Sequence, residues 1–336
     1  MDHDQFSQLN TSISVKEKDF ISEQEFTMLL NAKNKEELSL LLQKTPYSIS
    51  ITDLDNLDTV EKVLMKELGK TFKWVSAECP VPEIVDLFIL PYLYHNVKVL
   101  LKAKASQKNL DHLLIPFGGT SLPALQHLVR TLKSDYFPAY FEEEIQSIWE
   151  EYVDYGDSRV IEIGADLAYF KHLRRIAEQL DDPVFDKAVD ILTDSYNVLT
   201  LMRAKNLNKS DGFIKQLLTE QSSLTYQELT CGPIYQTLSS WYNQLLPENY
   251  SSRLANYEQK IAKGKLSIRE LEELVDLLIF YLFDDSKFTC QGPYPVARFL
   301  LTKLFEIKNL RLILSAKVNQ LPLDLVKERL RPFYEY

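Results

Sequence analysis

Apolar residues along this chain recur at steps of three and four rather than two. The run Leu300, Leu304, Ile307, Leu310 and Leu314 is typical, because on a helix these side chains fall along one side. The spacing predicts an all-α fold. Only 9 of 336 residues are glycine, so tight turns, hairpins and phosphate-cradling loops have little to form from.

One helical pattern recurs three times. Asn96-Val97-Lys98-Val99-Leu100-Leu101-Lys102-Ala103-Lys104 aligns with Asn197 to Lys205 (NVLTLMRAK) and with Asn309 to Lys317 (NLRLILSAK). Each copy opens with Asn and closes with Ala-Lys, and the first, fourth and fifth residues after the Asn are apolar, which places them on one helical face. The interval between copies is too long for a solenoid repeat and suits a domain-sized group of helices. An Asn within a helix costs propensity, so Asn96, Asn197 and Asn309 are expected to hydrogen-bond a neighbouring segment or fix register; a functional role is the other reading.

A second pattern lies between Phe141 and Asp166. Ile145, Ile148, Trp149 and Tyr152 keep helical spacing, while Glu142, Glu143, Glu144, Glu150, Glu151, Asp154, Asp157, Glu162 and Asp166 face only Arg159. The expectation is one amphipathic helix with an acidic outer face. Such faces are commonly just solvated, but Glu142, Glu143, Glu150 and Glu151 are candidates for docking a basic partner.

Composition narrows the function classes. Hydrophobic residues make up 45% of the chain, with 17 Phe, 18 Tyr and 3 Trp, enough to bury a substantial core. The 48 acidic and 38 basic side chains leave a formal charge of −10 with no long Lys/Arg block, which speaks against a nucleic-acid partner and against unaided binding to anionic lipid. Three scattered cysteines, Cys79, Cys231 and Cys290, suit reduced thiols in a reducing compartment. The start, Met1-Asp2-His3-Asp4-Gln5, lacks the basic and apolar regions of a signal peptide. The most apolar stretch, Leu277 to Phe283, ends at Asp284-Asp285 and is far short of the roughly 20 residues a spanning helix needs.

Catalytic patterns are sparse. Gly118-Gly119-Thr120 is a lone glycine loop without the Lys of a nucleotide-binding P-loop, and His3, His95, His112, His127 and His172 show no metal-ligand spacing. Neither a cofactor nor a metal is expected. Asp181-Asp182-Pro183-Val184-Phe185-Asp186 is similar to the magnesium motif of helical isoprenoid enzymes, but the spacing is one residue too long and Pro183 interrupts it. Asp182 as a helix N-cap followed by Pro183 at the first helical position is the simpler reading.

The C-terminal stretch is more specific. Gly292-Pro293, a helix, Glu306-Ile307-Lys308-Asn309-Leu310-Arg311 and an apolar run to Lys317 resemble the closing signature of the C subunit of prokaryotic V/A-type ATPases, the counterpart of the eukaryotic d subunit. Phe20 to Lys33, with Glu36-Glu37-Leu38 and Thr45-Pro46-Tyr47, resembles that family's N-terminal region. The resemblance implies a non-catalytic rotor protein with three similar helical units around a pseudo-threefold axis, forming a funnel. On this chain the units would be residues 1–120, 121–230 and 231–336. It further implies that the D and F shaft subunits insert from one side and that a membrane ring of proteolipid subunits lies on the other. The chain would then be peripheral on the cytoplasmic membrane face, linking ATP turnover to H⁺ or Na⁺ movement. A helical scaffold or adaptor with no rotary role fits the composition as well.

Overall fold

Helix after helix begins where a side chain can take over the unpaired backbone N–H groups of the first turn. Ser22 and Glu25 form a reciprocal capping box, as do Thr225 and Glu228, while Asn34, Asn56, Asp157 and Asp182 act as single caps. The computed structural model describes residues 4–116, 121–245 and 252–333; Gly118-Gly119-Thr120 and Met1 to His3 lie outside them. Among the described residues the fold is α-helical, with short 3-10 turns and no strand.

In chain order the helices are α1 (Ser7–Lys16), α2 (Glu23–Asn31), α3 (Lys35–Leu42), α4 (Leu57–Glu78), α5 (Pro82–Ser106), α6 (Leu122–Thr131), α7 (Ala139–Tyr155) and α8 (Ser158–Leu180). There follow α9 (Pro183–Asn206), α10 (Asp211–Leu217), α11 (Tyr226–Thr230), α12 (Ile234–Leu245), α13 (Ser252–Ala262), α14 (Ile268–Asp284), α15 (Tyr294–Val318) and α16 (Leu323–Lys327). Contacts divide the chain into two compact units, residues 1–85 with 279–336, and residues 86–278.

The first unit is organised around α15. Val60, Leu64, Leu68, Phe72 and Val75 give α4 a stripe of buried side chains at steps of three and four, and this helix packs on α15. Phe299 of α15 meets Phe20 at 5.3 Å and Trp74 edge-on at 5.8 Å. Each such side chain, fully buried, contributes about 1.5–3 kcal/mol. The periodicity predicts a one-sided helix, but α15 is buried almost all round: Arg298, Thr302, Lys303 and Glu306 are buried with the apolar residues. They are tolerated there because each has partners. Arg298 lies 3.3 Å from both Glu17 and Asp284, and Lys303 is 2.8 Å from Glu306.

The second unit stacks α7 on α8 and α8 on α9. The stretch Phe141 to Asp166 is two helices rather than the single one its spacing predicts. Gly156, with φ of 66°, ends α7 in a left-handed turn that a side chain would strain, and Asp157 at once caps α8. Among the described residues one helix, α5, is long and apolar enough to cross a membrane by length and composition, which corrects the expectation drawn from Leu277 to Phe283 as the most apolar stretch. Of its most apolar window 56% is buried inside the fold. Asp86, His95, Asn96 and Lys98 interrupt its apolar run, which is therefore not conspicuous in the sequence.

Candidate functional site

The three repeated segments lie in α5, α9 and α15, and each Asn does the same thing. Asn96 donates from Nδ2 to the Ile115 carbonyl at 2.8 Å and accepts the Ile115 N–H at 2.8 Å. Asn197 brackets Thr219 with two bonds of 2.9 Å, and Asn309 brackets Arg331 at 3.1 and 2.7 Å. An amide side chain offers a donor and an acceptor side by side, matching the N–H and C=O of one extended residue. The Asn therefore ties a long helix to the segment returning past it.

The three helices also end alike. The carbonyls of Ala103, Ala204 and Ala316, one residue before each repeated Lys, accept the N–H of Lys108, Lys209 and Leu321. The residue just before each donor is left-handed: Gln107 at φ 54°, Asn208 at 52° and Gln320 at 53°. This is a Schellman-type closure, which satisfies carbonyls that a helix end otherwise leaves open. All three positions carry side-chain amides, a sequence signal that the Asn-to-Lys alignment stops short of.

The lysines diverge. Lys104 donates to the Val129 carbonyl at 2.9 Å, in the last turn of α6, and its Nζ lies 4.1 Å from the centre of the Trp149 ring. Lys317 donates to the Ala32 carbonyl, the C-cap of α2, at 2.7 Å. Burial lowers the pKa of both. Lys205 is exposed, and its side chain has no hydrogen bond or ion pair among the described residues.

One turn before the Asn, two of the helices carry a buried carboxylate: Glu306, which the sequence marks only as the start of the family signature, and Asp194, which sequence reasoning did not single out. Glu306 accepts the Tyr47 hydroxyl at 2.6 Å and the Ile21 N–H at 2.7 Å besides pairing with Lys303. Burial and then the Glu306 charge push the Tyr47 pKa well up, so Tyr47 stays a donor. Asp194 accepts Ser222 Oγ (2.7 Å), Ser223 N–H (2.7 Å), Ser223 Oγ (2.6 Å) and Trp241 Nε1 (3.0 Å). An acidic residue on the apolar face three places before the Asn was the available signal.

The acidic candidates separate. Glu143, Glu150 and Glu151 are exposed on α7 together with Asp154, whereas Glu142 turns inward to accept the Ser134 N–H at 2.7 Å and the Gln146 amide at 3.1 Å. Glu162 and Asp166, on α8, pair with Lys98 and Lys102. The free acidic face is therefore confined to α7.

A pocket of about 270 Å³ in the second unit is lined by Tyr94, Tyr140, His172 and Arg175 among others. Tyr94 donates to the Ala168 carbonyl, so its oxygen accepts from His172 Nδ1 at 3.4 Å, and Nε2 takes the Tyr140 proton at 2.9 Å. Burial, then the Arg175 charge, lowers the His172 pKa to about 4, leaving a neutral ring held by two hydroxyls. Asp182 is the N-cap of α9, accepting the N–H groups of Val184 and Phe185, with Pro183 at the first helical position. Its carboxylate is thus spent on the helix start. Among the described residues no three His, Cys, Asp or Glu side chains gather as metal ligands would.

These features define an all-helical chain whose distinctive groups tie and close helices. Residues 9–329 match the model of the ATP synthase (C/AC39) subunit family, and the chain belongs to that family. It is 30% identical to the C subunit of the V-type sodium ATPase of Enterococcus hirae over 331 residues, covering 98% of this chain and 99% of that one. It is 24% identical to the C subunit of the A-type ATP synthase of Methanocaldococcus jannaschii, over 94% of this chain and 84% of the relative. A similar protein from Methanococcoides burtonii, again the C subunit of an A-type ATP synthase, is 22% identical over 88% of this chain.

Proposed function

We propose that this chain is the non-catalytic central-rotor component of a V/A-type ATPase, joining a shaft of D and F subunits to a membrane ring of proteolipid subunits. ATP hydrolysis or synthesis elsewhere in the complex is thereby linked to H⁺ or Na⁺ transport, and the chain sits peripherally on the cytoplasmic membrane face. The observation that carries this reading is the full-length match to the C/AC39 family, with a relative from a V-type sodium ATPase aligned over nearly all of both chains.

The structure supports a mechanical role in physical terms. Transmitting torque needs elements that do not yield, and helices tied by buried Asn clamps and closed at their ends resist fraying. The recurrence of clamp and closure on α5, α9 and α15 supports three similar units, residues 1–120, 121–230 and 231–336, arranged about a pseudo-threefold axis as a funnel. On α7, Glu143, Glu150 and Glu151, without the inward-turned Glu142, present negative charge to a basic partner.

Co-purification of the chain with D, F and the proteolipid ring tests the role. A stable complex is expected, with Glu143→Lys/Glu150→Lys/Glu151→Lys weakening it at low salt; failure of the wild-type chain to join a motor whose other subunits assemble refutes the reading.

A further inference from the structure

The cavity of about 270 Å³ in the second unit plays no part in the coupling reading, yet one of its walls is built to hold a single side chain in place. The Ala168 carbonyl accepts the Tyr94 hydroxyl, Tyr94 and Tyr140 together fix the His172 ring, and the Tyr140 ring lies under the Arg175 guanidinium, whose Cζ is 4.1 Å from its centre. Side chains from α5, α7 and α8 thus act in series to orient one exposed arginine at the cavity. A guanidinium resting over an aromatic ring still has N–H groups along its edge, and these suit a carboxylate or phosphate through two parallel hydrogen bonds.

Charge favours an anion at the same place. Lys171, Arg174 and Arg175 fall within five residues of α8 with no acid between them, in a chain whose formal charge is −10, and all three line the cavity. Two carboxylates, Glu144 and Glu178, line it as well. Glu144 pairs with Lys171 at 2.9 Å, while Arg174 is held by Asp190 at 2.5 Å and by the Gln221 carbonyl at 3.0 Å, so these pairs form wall. Glu178 is exposed one turn beyond Arg175, where water screens it.

We propose that this cavity binds a small oxyanion, a phosphate or carboxylate group, with Arg175 as its two-pronged donor, Lys171 as a second positive charge, and Tyr140 and His172 as the residues that position Arg175. The site lies wholly within the second unit and does not depend on the coupling reading. A ligand held there by α8 against α7 stabilises the folded chain by mass action.

The test titrates inorganic phosphate into the full-length chain at constant ionic strength, following the thermal midpoint and the His172 ring signals by NMR, with citrate in a parallel series to separate phosphate from carboxylate recognition. A saturable shift of the ring signals and a rising midpoint are expected with at least one of the two. Arg175→Ala should weaken binding about tenfold or more, the loss of a charge-assisted pair of hydrogen bonds, and Arg175→Lys by less, since a point charge replaces the fork. Tyr140→Phe keeps the ring but releases His172, and should weaken binding less than Arg175→Ala while moving the ring signals of the free chain. Glu178→Gln removes a like charge and should tighten binding. Arg159→Ala, at the other end of α8, should leave it unchanged. Absence of saturable binding by both anions, equal affinities for Arg175→Ala and Arg159→Ala, or weaker binding by Glu178→Gln overturns the proposal. Assembly with D, F and the proteolipid ring is a separate measurement, so the coupling reading and this inference fail independently.

Discussion

The buried carboxylates of α15 and α9 occupy the same place relative to the repeated Asn, yet are stabilised by different means. Glu306 in the first unit has a cation, Lys303, on its own helix and takes the N–H of Ile21 and the hydroxyl of Tyr47, residues more than 250 positions away. Asp194 in the second unit has no cation among its partners; hydroxyls, an N–H and an indole from residues 222–241 surround it. The bonds from Ile21 and Tyr47 to Glu306 close the first unit by joining distant parts of the chain, while those to Asp194 close the second through residues 222–241. Burying a charge is tolerated in either setting because each carboxylate oxygen finds a donor.

The comparison breaks most visibly on truncation. Glu306→Ala leaves Lys303 buried without its anion and should cost about 3–5 kcal/mol in denaturant unfolding, most of it recovered in Lys303→Met/Glu306→Leu. Asp194→Ala strands donors but no charge and should cost about 2–3 kcal/mol. Equal losses, with no recovery in the double variant, would refute the distinction.

Acid should separate the two regions next. Every histidine among the described residues lies in the second unit. His172 has a pKa of about 4 in the folded chain against 6.5 ordinarily, so the unfolded chain takes up the proton first as pH falls. Stability is therefore lost from about pH 6.5 downward and the loss levels off below about 4, amounting to on the order of 3 kcal/mol. Proteolysis across that range should open sites between residues 86 and 278 first, and His172→Gln should flatten the pH profile.

The Asn clamps sharpen what the two regions share. Asn→Ala at each position strands one backbone N–H and one C=O, a loss of about 2 kcal/mol. Asn197 and Asn309, 2% and 1% exposed, should suffer more than Asn96 at 6%, where water can reach the freed groups. Hydrogen exchange at the amides of Ile115, Thr219 and Arg331 reads each clamp separately.

The smallest effect lies in the left-handed closures. Gln107→Gly and Gln320→Gly should each stabilise by about 0.5–1 kcal/mol by relieving the positive φ, and Asn208→Gly by less because Asn tolerates that conformation. Thermal midpoints resolve the series.

The all-helical class, the Asp182 cap and the three Asn-to-Lys segments were legible in the sequence because these are local relations between residues a few places apart. The resemblance to the V/A-type ATPase family was legible too, carried by Gly292-Pro293 and the Glu306 to Lys317 run. What the clamps hold was not. Ile115, Thr219 and Arg331 share no chemistry, since only their backbone is used, and a backbone amide leaves no mark on residue identity. The break at Gly156 was readable in principle but masked by acidic residues continuing on both sides of it. Likewise the sequence writes the same Lys at positions 104, 205 and 317, but only the packed chain decides that Lys104 and Lys317 meet a helix end while Lys205 meets none among the described residues. That outcome depends on where other helices, α6 and α2, end beside Lys104 and Lys317, a relation fixed by tertiary contacts.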